Sequence, residues 1–126
     1  MRALTISAHG GLDVLEYRDD VPAPEPRAPR DVRVRIEAAA VGDGVTGVHP
    51  GDRVVINPGV SCRACEYCLA GEHPLCIRFR LLGEHLPGTM AEYVVVPEQN
   101  VRVVPADVPA EAAAAFPLAT LTAWRM

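Results

Sequence analysis

Residues 61–76 read SCRACEYCLAGEHPLC and contain all four cysteines of the chain. Two Cys-x-x-Cys steps join Cys62, Cys65 and Cys68, and an excursion of seven residues returns the chain to Cys76. Four thiolates complete the tetrahedral shell that Zn²⁺ takes in structural sites, with no position left for water or substrate. The spacing therefore predicts a closed metal site, with zinc bound by Cys62, Cys65, Cys68 and Cys76 in a lobe over residues 61–80.

Two other uses of the four cysteines remain open at this point. Paired disulfides suit a secreted domain, but residues 1–10 lack the apolar core of a signal peptide, which favours reduced thiols and a cytoplasmic location. An iron–sulfur cluster also uses Cys-x-x-Cys-x-x-Cys. Its bacterial form has the fourth cysteine three residues later, followed by proline, whereas Ile77 follows Cys76.

The composition excludes several classes of protein. With 126 residues, 49% of them hydrophobic, the chain has the size and apolar content of one folded domain, which we place at residues 1–126. A formal net charge of −4 gives no reason to expect nucleic acid or an anionic membrane as partner. No stretch is long and apolar enough to suggest a membrane span.

Short strands separated by turns make up most of the pattern. Residues 32–38 alternate apolar and charged side chains, which is typical of a half-buried strand. Proline, glycine and asparagine punctuate the chain between the apolar runs. Further strands are predicted at residues 2–8, 14–17, 53–56, 90–96 and 101–104, and helices at residues 110–115 and after Pro117. This pattern predicts a mainly β barrel or sandwich with short helices near the C-terminus.

Three motifs occur in an order found in a known family. They are Pro50-Gly51-Asp52-Arg53-Val54-Val55, the cysteine spacing, and Gly88-Thr89-Met90-Ala91-Glu92-Tyr93-Val94. Together they resemble the N-terminal, GroES-like domain of zinc-containing medium-chain alcohol dehydrogenases. The resemblance implies a partly open β-barrel with a structural-zinc lobe formed by the four cysteines. It also implies hydride transfer between an alcohol or carbonyl substrate and NAD(P) in full-length relatives, and contacts between subunits of a homo-oligomer.

Two departures from the family pattern limit what the resemblance implies. Between Ala40 and Val41, a few dozen residues that carry the active-site polar groups in the family are missing. No Gly-x-Gly-x-x-Gly turn occurs, and Gly42-Asp43-Gly44 is predicted to be an ordinary turn. Where the family sometimes has a third catalytic ligand, four residues before Thr122, this chain has Leu118. We therefore predict no catalytic and no cofactor-binding residues in this chain.

The histidines are weak candidates for a second metal site. His9 and His49 stand in turns, where solvated side chains are the usual finding. His73 lies within the cysteine excursion. Glu84 and His85 are neighbours, and neighbours on a strand point to opposite faces, so we expect them not to act together.

These observations leave competing functions. The first is the zinc-binding domain of an NAD(P)-dependent oxidoreductase, and we expect the chain alone to show no turnover. The second is a stand-alone zinc-binding interaction module, and the third an iron–sulfur electron carrier. The missing segment also predicts that strand positions Val32, Val34 and Ile36 are exposed and promote self-association, unless residues 41–48 fold over the gap.

Overall fold

The computed structural model describes residues 1–36, 38–41 and 43–125, and it describes their side chains except those of residues 38–41 and 125. Three parts of the sequence predictions lie outside the described residues. These are Glu37 in the predicted strand, Gly42 in the predicted turn and Met126 at the end of the chain.

In the described part of the chain, nine short strands form four small antiparallel sheets, and no closed barrel forms. The strands are β1 (Ala3–Ile6), β2 (Leu15–Arg18), β3 (Asp31–Arg35), β4 (Ala38–Val41), β5 (Val54–Ile56), β6 (Gly59–Val60), β7 (Arg80–Leu81), β8 (Tyr93–Pro97) and β9 (Val101–Val103). The sheets pair β1 with β2, β3 with both β4 and β8, β5 with β9, and β6 with β7. The fold is thus mainly β, as the sequence predicts.

The helices are short. The α-helices are α1 (Glu66–Leu69), α2 (Ala110–Ala115) and α3 (Leu121–Arg125). Single 3₁₀ turns lie at Leu12–Val14, His73–Leu75 and Glu98–Asn100, and a π-helical turn at Phe116–Thr120 joins α2 to α3. The prediction of helices near the C-terminus is confirmed. None of the helices described is long and apolar enough to cross a membrane.

The core is a cluster of valines on the inner faces of β3 and β8. Val32 is paired with Val96, and Val34 with Val94, so alternate residues of both strands point into the same space. This is the period-two pattern expected of a sheet with one buried face. Val48 and Val101 complete the buried cluster.

The strand predicted at residues 32–38 is instead a hairpin. β3 ends at Arg35, and β4 pairs back on it in the register Arg35↔Ala38 to Val32↔Val41. Ala40 and Val41, between which the sequence departs from the family pattern, both lie in β4. Alternating polarity in β3 cannot reveal such a reversal, because it depends on pairing between strands and not on the period within one.

The exception allowed for in the prediction of exposed strand positions applies to two of the three. Val32 is fully buried and Val34 is 4% exposed, whereas Ile36 is 40% exposed. Part of the reason is Val48, which is buried in one cluster with the two valines, with Val45 packed against that cluster. Val45 and Val48 belong to the segment that the prediction named as a possible cover.

Candidate metal centre

The cysteine lobe begins and ends on one two-stranded stem. β6 leads into it and β7 leads out, with Gly59 paired to Leu81 and Val60 to Arg80. The stem is crowded at Gly59, where an added Cβ would lie 2.9 Å from Cζ of Phe79. A side chain at this position would push against the ring, so glycine allows the two strands to close below the lobe.

A helical turn presents the middle cysteines. Cys65 is the residue before α1, and Cys68 lies in it, with the amide of Leu69 donating to the carbonyl of Cys65 over 3.0 Å. The chain then reverses at Gly71, whose φ of +83° lies in the left-handed region that glycine adopts without strain. The 3₁₀ turn containing Pro74 follows and leads directly into Cys76.

The four sulfur atoms converge. All four Sγ atoms lie within 4.8 Å of one another, and Sγ of Cys62 is 3.9 Å from Sγ of Cys68. Zn–S bonds of about 2.3 Å in a tetrahedron require S···S separations of about 3.8 Å. The four thiols are unpaired, so they form no cystine, and Cys68 and Cys76 are each only 6% exposed. Donor set, spacing and burial all fit a zinc ion, and these residues can hold one.

The surroundings of the thiols favour the thiolate form of Cys62 and Cys65 and the neutral thiol form of Cys68. Backbone N–H groups of Ala64 and Cys65 lower the pKa of Cys62 to about 6. The N–H of Cys68 does most to lower the pKa of Cys65. Burial raises the pKa of Cys68 to about 11. A thiol in that position needs a bound cation to ionise, and a metal supplies that cation.

Two backbone amides bind the sulfur of Cys76. The N–H groups of Cys62 and Arg78 each donate to this Sγ over 3.3 Å. Such donors stabilise thiolate charge and hold the ligand in place, as do the outer partners of metal ligands in general.

A ring of polar contacts connects the lobe to the turn between β8 and β9. Arg63 donates from Nε to Oε1 of Gln99 over 2.8 Å, and its Nη1 lies 3.0 Å from Nε2 of His73. Nδ1 of His73 lies 3.5 Å from the hydroxyl of Ser61, whose carbonyl accepts from Nε2 of Gln99 at 3.5 Å. Arg63 is also the one described non-glycine residue with positive φ, at 60°. The ring holds this unfavourable backbone and orients the cysteine turn.

Asn100 holds the β6–β7 stem in place through hydrogen bonds to the backbone of the stem and of the segment just before it. Its side chain is 4% exposed and donates from Nδ2 to the carbonyls of Asn57 and Gly59, both over 2.8 Å. The amide of Asn57 donates to the carbonyl of Asn100 over 2.7 Å. The end of β5 and the start of β6 are thereby fixed to the turn that precedes β9.

The weaker candidates do not assemble a second site. Among the described residues, the cysteine cluster is the one group with the arrangement of a metal site. His49 is largely exposed and contacts Asp52 within its own turn. Glu84 and His85 lie 3.9 Å apart, closer than the argument from strand geometry predicts, because residues 83–85 form a turn. Leu118 is exposed on the π-helical turn.

Sequence reasoning missed the residues that position the lobe. Glu98, Gln99 and Asn100 lie between the strands predicted at residues 90–96 and 101–104, with no role predicted for them. Their side chains bind Gly47, the lobe and its stem, respectively. Their signal in the sequence is weak. It consists of a polar triplet after Pro97 between two valine-rich strands, where the buried polar residues differ in no obvious way from exposed turn residues.

Residues 33–107 match the family described as Alcohol dehydrogenase GroES-like domain. An L-threonine 3-dehydrogenase of Anaeromyxobacter sp. (strain Fw109-5) is 47% identical over 77 residues, which cover 61% of this chain and 22% of the relative. A galactitol 1-phosphate 5-dehydrogenase of Escherichia coli (strain K12) is 42% identical over 72 residues, 57% of this chain and 21% of the relative. The chain thus spans about a fifth of the length of these relatives.

Solved structures extend the similarity to the whole chain. An NAD-dependent alcohol dehydrogenase superposes with a TM-score of 0.91 and 46% identity, over 100% of this chain and 46% of the other. A cobalt- and zinc-bound thermostable alcohol dehydrogenase from Pyrobaculum aerophilum gives a TM-score of 0.81 and 32% identity, over 100% and 47%. The fold described above is therefore the fold of one part of such enzymes.

Proposed function

The chain belongs to the family of alcohol dehydrogenase GroES-like domains, and on this premise we propose that it is the zinc-binding part of an NAD(P)-dependent dehydrogenase. Residues 1–126 form the domain in this proposal, and the lobe over residues 61–80 is its zinc-binding region. Cys62, Cys65, Cys68 and Cys76 are the ligands. The observation that carries the proposal is the convergence of their four sulfurs within 4.8 Å.

The role of the metal follows from the closed ligand set. Four protein sulfurs leave no coordination site for substrate, so the ion stabilises the lobe and takes no part in the reaction. Structural zinc contributes on the order of 10 kcal/mol of apparent binding free energy, comparable to the stability of a whole domain. The lobe is short of apolar contacts of its own, because Leu69, Leu75 and Ile77 are exposed. The metal therefore stabilises the lobe in place of an apolar core.

The reaction proposed for the complete enzyme is transfer of hydride from a small alcohol to NAD(P). The relatives reported above are named as dehydrogenases of L-threonine, galactitol 1-phosphate and alcohols. We propose a small hydroxyl-bearing substrate of this kind and a cytoplasmic location, where thiols remain reduced and available to zinc. A homo-oligomer is part of the proposal, and its basis is the apolar surface of the C-terminal helices.

Elemental analysis of the purified chain tests the metal assignment. We expect one zinc and no iron per chain. Cys68→Ser should abolish stoichiometric binding, because a neutral hydroxyl replaces a thiolate at a buried position. Leu69→Ser, at an exposed position of the same lobe, is the matched control and should retain the zinc. A zinc content unchanged by Cys68→Ser would contradict the assigned ligand set.

A further inference from the structure

An open cleft of about 650 Å³ lies where the cysteine lobe meets the β8–β9 turn. Its charged side chains include three arginines, Arg30, Arg63 and Arg102, against two carboxylates, Asp31 and Glu98. The chain as a whole carries a net charge of −4. This cleft therefore carries a local excess of positive charge on an acidic protein. It lies beside the four cysteines, which are anionic as thiolates.

Both carboxylates of the cleft are already engaged. Glu98 binds Arg30 through Oε2, over 2.6 Å to Nη2, and two backbone amides through Oε1. Asp31 accepts from the backbone amides of Arg27 and Ala28 through Oδ2. The charge of Arg30 is thus balanced by Glu98 inside the cleft, and Arg63 and Arg102 together exceed the single negative charge of Asp31.

Arg63 and Arg102 form no ion pair with any residue that the structure describes. Their partners are neutral. Arg63 donates to Gln99 and contacts His73, while Nη1 of Arg102 donates to the carbonyls of Gln99 and Val101, over 3.2 and 2.7 Å. A guanidinium has five N–H donors. Nη2 of each arginine, and Nε of Arg102, have no protein acceptor among these contacts.

Gln99 sets the positions of both guanidinium groups. Its side-chain Oε1 binds Arg63 and its backbone carbonyl binds Arg102. Two long side chains that usually lose much rotamer freedom on binding are thus already restrained. The buried valines Val48 and Val101 also line the cleft, and an apolar lining weakens the screening of charge by water.

We propose that this cleft binds an oxyanion, the phosphate or carboxylate group of a small ligand, through Arg63 and Arg102, with Gln99 as the residue that positions them. Nε and Nη2 of Arg102 remain as a donor pair that matches either kind of oxyanion, and Nη2 of Arg63 adds a further charged donor. The site is separate from the four zinc ligands, and the proposal does not depend on the dehydrogenase assignment.

Titration with inorganic phosphate, and in a second arm with acetate, tests the site. Zinc-loaded protein is followed by backbone amide NMR shifts at constant ionic strength, adjusted with chloride. We expect saturable shifts at Gln99 and Arg102, with a dissociation constant on the order of millimolar. Tighter binding of phosphate identifies the ligand group as phosphate, and tighter binding of acetate identifies it as carboxylate.

Three variants and one control distinguish a specific site from non-specific electrostatic attraction. Arg102→Gln and Arg63→Asn should each weaken binding about tenfold, because each removes a charged donor group, and asparagine tolerates the positive φ at position 63. Gln99→Ala retains both charges and should weaken binding by a smaller factor. Arg80→Gln removes an exposed charge outside the cleft and should change nothing.

Zinc content, measured on every variant, shows that the lobe is intact. Shifts that do not saturate, or equal loss in Arg80→Gln and Arg102→Gln, would overturn the proposal. Binding unaffected by Gln99→Ala would remove the positioning role. A chain that holds one zinc and binds neither anion would refute this site and leave the zinc assignment intact.

Discussion

The Glu98 carboxylate accepts hydrogen bonds from three residues in two other parts of the chain. Its Oε1 accepts from the amides of Thr46 and Gly47 over 2.8 and 2.7 Å, and its Oε2 accepts from Arg30. These contacts anchor Thr46 and Gly47 to the turn after β8. One side chain thus holds the segment before Val48 against the core sheet.

The pH dependence of stability tests this anchor. The amides of Gly47 and Thr46, with Arg30, lower the pKa of Glu98 from an ordinary 4.5 to about 2. The folded chain therefore favours the carboxylate. Its stabilising effect should be complete above pH 4.5 and should be lost as the pH falls towards 2.

We expect Glu98→Gln to lower the urea midpoint at pH 7, and the difference from the parent chain to shrink as the pH falls through this window. Loss of zinc on acidification affects both proteins equally, so the difference isolates Glu98. Glu111→Gln, on the exposed α2, is the control and should match the parent throughout. A difference that stayed constant across the window would mean that the charge of Glu98 plays no part.

Asn100 offers a test that needs no change of pH. Asn100→Ala removes two buried hydrogen bonds and should cost about 1–3 kcal/mol in the free energy of unfolding, measured by denaturant titration. Asn100→Asp keeps the shape but loses the Nδ2 donors, so it should destabilise at least as much. If the aspartate variant were as stable as the parent, packing and not hydrogen bonding would explain the role of this residue.

Among the strands and helices, the sequence was informative wherever burial leaves a periodic pattern. β3, β8 and β9 alternate or run apolar and were located to within a few residues, and the alanine-rich α2 was found at its observed bounds. The reversal between β3 and β4 was missed, because the register of a hairpin depends on pairing across strands. The two-residue strands β6 and β7 were also missed, since a stem so short has no period.

The metal ligands and their supports differ in the same way. Cysteine spacing predicts ligation directly, because few other uses exist for four clustered cysteines that are not paired as disulfides. The parts played by Gln99 and Asn100 depend on which backbone groups come close to them in three dimensions.

Removal of zinc should loosen one set of elements and leave another intact. β6, α1 and β7 depend on the cysteine cluster, whereas β3 and β8 share the valine core. After treatment with EDTA, we expect amide hydrogen exchange in residues 61–80 to accelerate strongly, with little change at Val94 and Val96. Readdition of zinc is the control and should restore protection. Uniform acceleration across both regions would show that the lobe and the core unfold together.

The C-terminal helices present apolar side chains to solvent. Trp124 is 86% exposed, and Phe116 and Leu118 are each more than 60% exposed. α2 and α3 contact the π-helical turn between them more than any other element. A group of exposed large apolar residues is characteristic of a surface that another protein covers.

Self-association through this surface is expected to be visible in the single tryptophan. Trp124 emission should shift to shorter wavelength as protein concentration rises, together with a larger mass by light scattering, because the ring leaves water at the interface. Phe116→Ser should move both transitions to higher concentration. Ile36→Ser, at the β3 end, is the comparison and should have little effect. A monomer at all concentrations with unchanged emission would contradict this surface as the contact.

The β6–β7 stem brings the two ends of the cysteine lobe side by side, at Gly59 and Leu81. Neighbouring Cα atoms in such a pair lie only about 5 Å apart. The metal-binding lobe is therefore topologically a hairpin loop, which two adjacent antiparallel strands are sufficient to connect. Residues 59–81 could accordingly be grafted onto the tip of an unrelated hairpin, provided that the recipient protein replaces the contacts made by Asn100 and Gln99.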